Sequence, residues 1–233
     1  DQCKNWFNIS FITYSILIMT KFCLQAGEST REKLAIYNQR LSGVIASKVC
    51  PIGHIPIGDV PFCEAAIPHR KRMQLDKIID FYPMFLHRWR HRKIKLIYVD
   101  KSTKLHEGFF KRATEWKSDW PSQLVYKGGD IPNNFYYYWS EPVTFTQEWR
   151  YYIAEGKLIT TGWYDGSNED EPAPELDICW PANYNGAVDF GRLDDGRIAL
   201  VEAHAPFACG WYGENHVDYC LWQYKAWNGW VNQ

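Results

Sequence analysis

AVDFGRLDDGRIALVEAHAP occupies residues 187–206, and how this stretch is read decides the fold. Two runs that alternate apolar and polar residues flank Asp195-Gly196, the strongest short-range signal for a β-hairpin. A two-residue loop there sets Val188 opposite Ala203, Phe190 opposite Val201 and Asp189 opposite Glu202. Facing carboxylates, with Cβ atoms roughly 5 Å apart, repel each other across a ladder. Either one keeps its proton or a cation lies between them. Period-two alternation also puts His204 on the Glu202 face with Ile198 and Leu200, so three potential ligands converge at one end of the hairpin. Such a carboxylate pair suits Mg²⁺, which completes its octahedron with water and phosphate oxygens. The same pair is common on ordinary exposed sheet faces; the apolar flanks Val188, Phe190, Ala199 and Val201 favour the metal.

The chain has 233 residues, 46% hydrophobic and 17% aromatic, enough for one large domain or two small lobes and incompatible with disorder. A net charge of −1 supplies no global field toward nucleic acid or membrane. The charge is uneven, however. Residues 69–95 are strongly basic, a solvated helix face or a surface for a phosphate-rich ligand, while 165–177 carry only acidic charges. Seven cysteines without C-x-x-C spacing fit reduced thiols in a cytosolic protein. The apolar run ISFITYSILIM (9–19) is short for a membrane span; it reads as a strand, or residues 1–18 as an extension.

Along the chain, Glu28 to Lys48 reads as an amphipathic helix with Leu34, Tyr37, Leu41, Val44 and Ile45 inward, and CPIGHIPIGDVPF (50–62) as loop or short edge strand. Residues 72–92 read as helix in two pieces around Pro83, and IKLIYVD as a strand. SEPVTFTQEWRYYIAEGKLITTGWYD (140–165) holds a second hairpin turning at Glu155-Gly156, with Glu148, Arg150 and Tyr152 on one face. A long polar loop, 165–186, precedes the opening hairpin, and HVDYCLWQYKAW closes the chain as a helix. The expected class is α+β: a small N-terminal lobe, residues 1–68, then residues 69–233 in two α+β subdomains.

The pattern D-x-G-x-L-x-x-G-x-x-x-x-V-E-x-H from Asp189 to His204 resembles the terminal metal-binding strands of the ATP-grasp superfamily. It is similar above all to a short clade, common in bacteriophages, predicted to join a carboxylate to an amine. PIGDVPF, YPMFLHR, KSTKLHEGFF, SEPVTFTQEWRYYI and ACGWYG resemble that clade's other segments, in order, over about residues 55–213. The resemblance implies two subdomains gripping ATP, with Asp189, Glu202 and His204 on Mg²⁺. It implies Glu148 at the ribose and Ser140, Glu141 and Val143 in the hinge at adenine. Arg150, Lys101 and Lys104 fall to the phosphates and catalysis, Arg150 because its fork grips such oxygens bidentately. The implied reaction is ATP-dependent carboxylate–amine ligation through an acyl phosphate, acting on small-molecule or peptide substrates in the cytoplasm, the host's if viral. Acceptor specificity falls to loops 51–66 and 165–186.

Two departures stand out. His204 replaces the family's usual Asn and is a softer match for Mg²⁺. Tyr98-Val99 stands where a Lys-Pro pair is usual, so Lys101 or Lys95 takes the phosphate role after a small shift. These departures also suit a catalytically degenerate ATP-grasp scaffold that binds a nucleotide or a partner. A nucleic-acid-associated module using the 69–95 stretch is a third reading. His87 and His91, Cys209 near His204, and the YYYW run at 136–139 have simpler explanations as solvated or core positions.

Overall fold

The computed structural model describes residues 17, 19–127 and 129–233. It is an α+β fold built on three sheets. The strand expected in residues 9–19 lies, apart from Leu17 and Met19, outside the described residues.

β1 (Lys21–Gln25) is the centre of a parallel sheet, flanked by β2 (Gly43–Ser47) and β3 (Ile55–Ile57). Its residues Phe22, Cys23 and Leu24 are buried, as expected of a strand covered on both faces. Parallel strands need a crossover, and α1 (Arg31–Asn38) supplies it between β1 and β2, capped by Thr30, whose side chain accepts from the Lys33 N–H. The single helix expected over 28–48 is therefore half helix and half strand. The helix stops at Asn38, and β2, with its β-branched Val44-Ile45 pair, joins β1. Ala35 and Ile36 are the buried residues of α1, while Leu34 and Tyr37 are exposed. In PIGDVPF, β3 gives way to α2 (Val60–Ala66), N-capped by Asp59, which accepts from the Phe62 N–H at 2.9 Å, with Pro61 in the first turn.

Between residues 67 and 93 only α3 (His69–Arg72) and a 3₁₀ turn (Met84–Trp89) are helical, less than the two expected pieces. The segment between them spends its backbone on the sheets instead: Ile79 N–H donates to Ala113 O at 2.7 Å, and Phe81 O accepts from Ala203 N–H at 2.9 Å.

The second sheet has the order β4 (Ile94–Val99), β7 (Phe135–Ser140), β5 (Gly108–Arg112), β6 (Gln123–Val125), all antiparallel. The third runs β11 (Ile198–His204), β10 (Gly186–Leu193), β8 (Phe145–Ala154), β9 (Lys157–Gly166), also antiparallel. Glu155 and Gly156 turn the β8–β9 hairpin with φ of 52° and 68°, the left-handed pair that such a loop demands. α4 (His216–Val231) touches α1, β3, β8 and β9 and joins the N-terminal sheet to the third sheet in one apolar core. On the other side of β8 and β10, Trp149, Tyr151, Val188 and Phe190 pack against Phe81 and Leu86.

The β10–β11 hairpin corrects part of the register read from sequence. Its loop is longer by one: Leu193 pairs with Arg197 around Asp194, Asp195 and Gly196, whose φ is 87°. Phe190 consequently faces Leu200, not Val201. A bulge at Val201 then restores the original register, and Asp189 does face Glu202. Ile198 and Leu200 lie on the face opposite Glu202, within the apolar core, because the bulge reverses the alternation.

Candidate functional site

Three adjacent strands present the site on one face of the third sheet. β8 contributes Glu148, Arg150 and Tyr152; β10 contributes Asp189, the direct cross-strand partner of Arg150; β11 contributes Glu202 and His204. Arg150 grips Asp189 bidentately, Nε to Oδ1 and Nη2 to Oδ2, both at 2.7 Å. His204 Nε2 lies 3.2 Å from Asp189 Oδ2 and 3.1 Å from Glu202 Oε1. Asp189, Glu202 and His204 can each aim one ligand atom so that all lie within 4.8 Å, and they form the only such group of three among the described residues.

The face is covered by the 209–213 strap, which needs a glycine beneath it. A Cβ on Gly162, the β9 partner of Arg150, would sit 2.4 Å from the Tyr212 carbonyl carbon. Tyr152 OH donates to Gly210 O at 2.6 Å and accepts from Tyr212 N–H at 3.0 Å, and the Arg150 guanidinium lies 5.1 and 5.2 Å from the rings of Tyr164 and Tyr212, which pack edge to face on each other.

The second sheet approaches from the other side. Lys111 on β5 reaches across to Glu202 at 2.6 Å, its ammonium 4.2 Å above the Phe81 ring. Between the two sheets lies a cavity of about 340 Å³. Phe109, Leu124, Val143 and Phe145 give it apolar walls, Ser140 to Pro142 line it on the chain segment joining the sheets, and Lys111, Arg92, Glu141, Glu148 and Glu202 supply its charges. Arg92 is anchored there by donating to Leu200 O at 2.6 Å and Val201 O at 3.2 Å, and it lies 5.4 Å over Phe145.

Electrostatics follow from this layout. Burial raises the Asp189 carboxyl, but the Arg150 fork outweighs it and holds the group below its ordinary value. Glu202 is likewise raised by burial and, on balance, strongly lowered by His204 and Lys111. Burial disfavours charge on His204, yet Glu202 and Asp189 leave it raised, so its imidazolium is favoured. Glu148 goes the other way: burial, then Asp189, Asp165 and Glu202, push it up to about 7. The cluster thus opposes two ionised carboxylates, Asp189 and Glu202, with Arg150 and Lys111, and His204 lies between the two acids.

A family model matches residues 86–221, that of an ATP-grasp domain, the second family of its clade. The chain belongs to that family. As an ATP-grasp domain it carries the fold of proteins that bind ATP and act, in general, as ATP-dependent ligases. Among solved structures it is similar to the RimK domain protein ATP-grasp from Sphaerobacter thermophilus, at 11% identity over 87% of this chain and 97% of that one, with a TM-score of 0.46. No curated protein matches the chain. Among the described residues no helix is long and apolar enough to cross a membrane.

The donor set fits Mg²⁺ and ATP. Both Glu202 oxygens and Asp189 Oδ1 keep a lone pair beyond those taken by Arg150, Lys111 and His204. Glu202 is open toward the cavity and Asp189 is 1% exposed behind it, so Glu202 would hold the ion from the nucleotide side, backed by Asp189. Bound there, the ion would neutralise charge on the phosphates.

Of the residues named from sequence, Asp189, Glu202, His204 and Arg150 come together, and Ser140, Glu141, Val143 and Glu148 line the adjoining cavity. Glu141 turns its carboxylate to the Lys93 backbone N–H at 2.9 Å and ammonium at 3.2 Å. Arg150 is 5% exposed with its fork spent on Asp189. Lys101 and Lys104 are not brought there. Lys101 lines a separate hollow with Asp100 and Asp130, and Lys104 is exposed. The cleft lysine is Lys111, in the strand GFFKR, which the sequence reading passed over.

Proposed function

We propose that this ATP-grasp domain is a carboxylate–amine ligase that activates its carboxylate substrate as an acyl phosphate. The observation that carries the reading is Lys111 reaching from one sheet to Glu202 on the other, across a cavity that also holds the 140–143 segment and Glu148. Adenine takes the apolar walls beside that segment, and Glu148 takes the ribose hydroxyls. Lys111 and Arg92 meet the phosphates as charge-assisted donors. Arg150 acts as a positioning residue: its salt bridge fixes Asp189. In the first step the substrate carboxylate attacks the γ-phosphorus and ADP leaves. In the second an amine attacks the acyl carbon and phosphate leaves. Residues 1–68 serve as a lobe that closes one side of the acceptor site, and the protein works in the cytoplasm.

A second reading has its own observation. Every firmly ionised carboxylate of the cluster is already paired with a cation of the chain, Asp189 with Arg150 and Glu202 with Lys111. A scaffold that binds a nucleotide without turnover would look the same. Calorimetric titration of ATP with Mg²⁺ into the wild type and into Glu202→Gln, with ADP release followed in mixed amino acids, separates the two. Magnesium-dependent binding lost in the variant, together with ADP release, supports the ligase. Binding without ADP release supports the scaffold, and no binding removes both.

A further inference from the structure

On the far side of His204 from the nucleotide cavity lies a larger one, of about 530 Å³. His204 and its neighbours Ala203 and Ala205 form the edge that it shares with the site. Its other walls come from segments outside the ATP machinery: Glu64 from α2, Asp76 and Asp80 from the stretch before the 3₁₀ turn, and Pro181 and Asn183 to Asn185 from the long loop. Trp116 reaches it from the segment after β5, and Trp230 from α4.

Its chemistry is one-sided. Among the described residues three carboxylates line it, and no lysine or arginine does. The nearest guanidinium groups are spent on carbonyls: Arg72 donates to the backbone oxygens of Glu64, Ala65 and Ile67, and Arg90 to that of Tyr82. Burial holds Glu64 and Asp80 above their ordinary values; Arg72 offsets only part of this at Glu64, and the Tyr82 N–H and Arg90 only part at Asp80, which Asp76 raises further. An ammonium of the chain already lies against the aromatic wall. That of Lys71, a residue 8% exposed, rests 4.8 Å over the Trp230 ring.

We infer that this cavity binds the amine substrate, and that the amine carries a second positive charge, as a small diamine or a lysine-like molecule does. The inference rests on the ligase reading for the reaction, but not for the binding. The charged end is held by Asp76, Asp80 and Glu64 against the aromatic wall. The other end, as the neutral amine, meets the acyl phosphate beside His204. There the C–N bond forms, the C–O bond to phosphate breaks, phosphate leaves with the electron pair and takes up the proton released by nitrogen. An anionic acceptor is excluded by the same walls.

Calorimetric titration with 1,5-diaminopentane and with glutarate, a chain of the same length bearing the opposite charges, tests this directly, with and without ATP and Mg²⁺. Wild-type protein should bind the diamine and not glutarate. Asp76→Asn/Asp80→Asn, both at exposed positions, should weaken the diamine about tenfold and leave ATP affinity unchanged. Glutarate binding as tight as the diamine, no diamine binding, or diamine affinity unmoved by the double substitution each overturns the inference. Diamine binding that obeys these expectations while ATP with Mg²⁺ fails to bind would keep the cavity and remove the ligase reading instead.

Discussion

Glu148 offers a test whose sign is set by the carboxylates around it. Its carboxyl is pushed up to about 7 from an ordinary 4.5 by burial and by Asp189, Asp165 and Glu202. An acid whose folded value is raised is stabilising in its neutral form. Its contribution is fully present below about 4.5 and is lost as the pH climbs through 7. At about 1.4 kcal/mol per unit the shift has a ceiling near 3 kcal/mol, and the half-buried side chain brings this to about 1–2 kcal/mol. Glu148→Gln, which keeps the shape and removes the charge, should match the wild type at pH 4 and exceed it by about 1–2 kcal/mol at pH 8.5. For a chain of this size that is about 2–8 °C in Tm. Thermal unfolding of both proteins from pH 4 to 8.5, without nucleotide or divalent ion, gives the comparison. A constant difference across the range, or a wild type that is the more stable at pH 8.5, would refute the electrostatic account of the cleft.

Asp189→Asn leaves the Arg150 guanidinium buried without its carboxylate and should cost about 3–5 kcal/mol in urea unfolding, with part regained in Arg150→Met/Asp189→Asn. Lys111→Met should weaken ATP binding about 10- to 100-fold, the worth of one or two charge-assisted bonds, whereas Lys104→Met should leave it unchanged; equal effects would return the phosphate role to the loop. Gly162→Ala pushes a methyl into the Tyr212 backbone. It should cost about 1–3 kcal/mol and loosen the 209–213 strap, read as faster amide exchange at Tyr212 and Gly213.

The carboxylate pair was legible because two local departures cancel. A two-residue loop at Asp195-Gly196 predicts Asp189 opposite Glu202; the true loop takes in Asp194 as well, which by itself would have set Asp189 opposite Val201. The bulge at Val201 puts one residue back, and no residue type there announces it. What did announce itself was chemistry that needs company: Arg150, Asp189, Glu202 and His204 on strands whose alternation was clear. Strand ends were harder. Asp100 Oδ1 accepts from the Ser102 N–H at 2.8 Å and from the hydroxyls of Ser102 and Thr103, a local turn that closes β4 and throws Lys101 and Lys104 out of the ladder. Motif likeness placed a lysine-bearing strand across that turn, while the strand itself begins only at Gly108. Over residues 28–48 the same competition ran between a helical period and the β-branched pair Val44-Ile45 of β2, and a parallel partner at β1, invisible to any local pattern, decided it. The large cavity beyond His204 was the least legible part, since its carboxylates at 64, 76 and 80 and its rings at 116 and 230 meet only through the tertiary fold. Residues whose function is local pairing can be read along a strand; residues that converge on a ligand from several loops become a site only once the sheets have placed them.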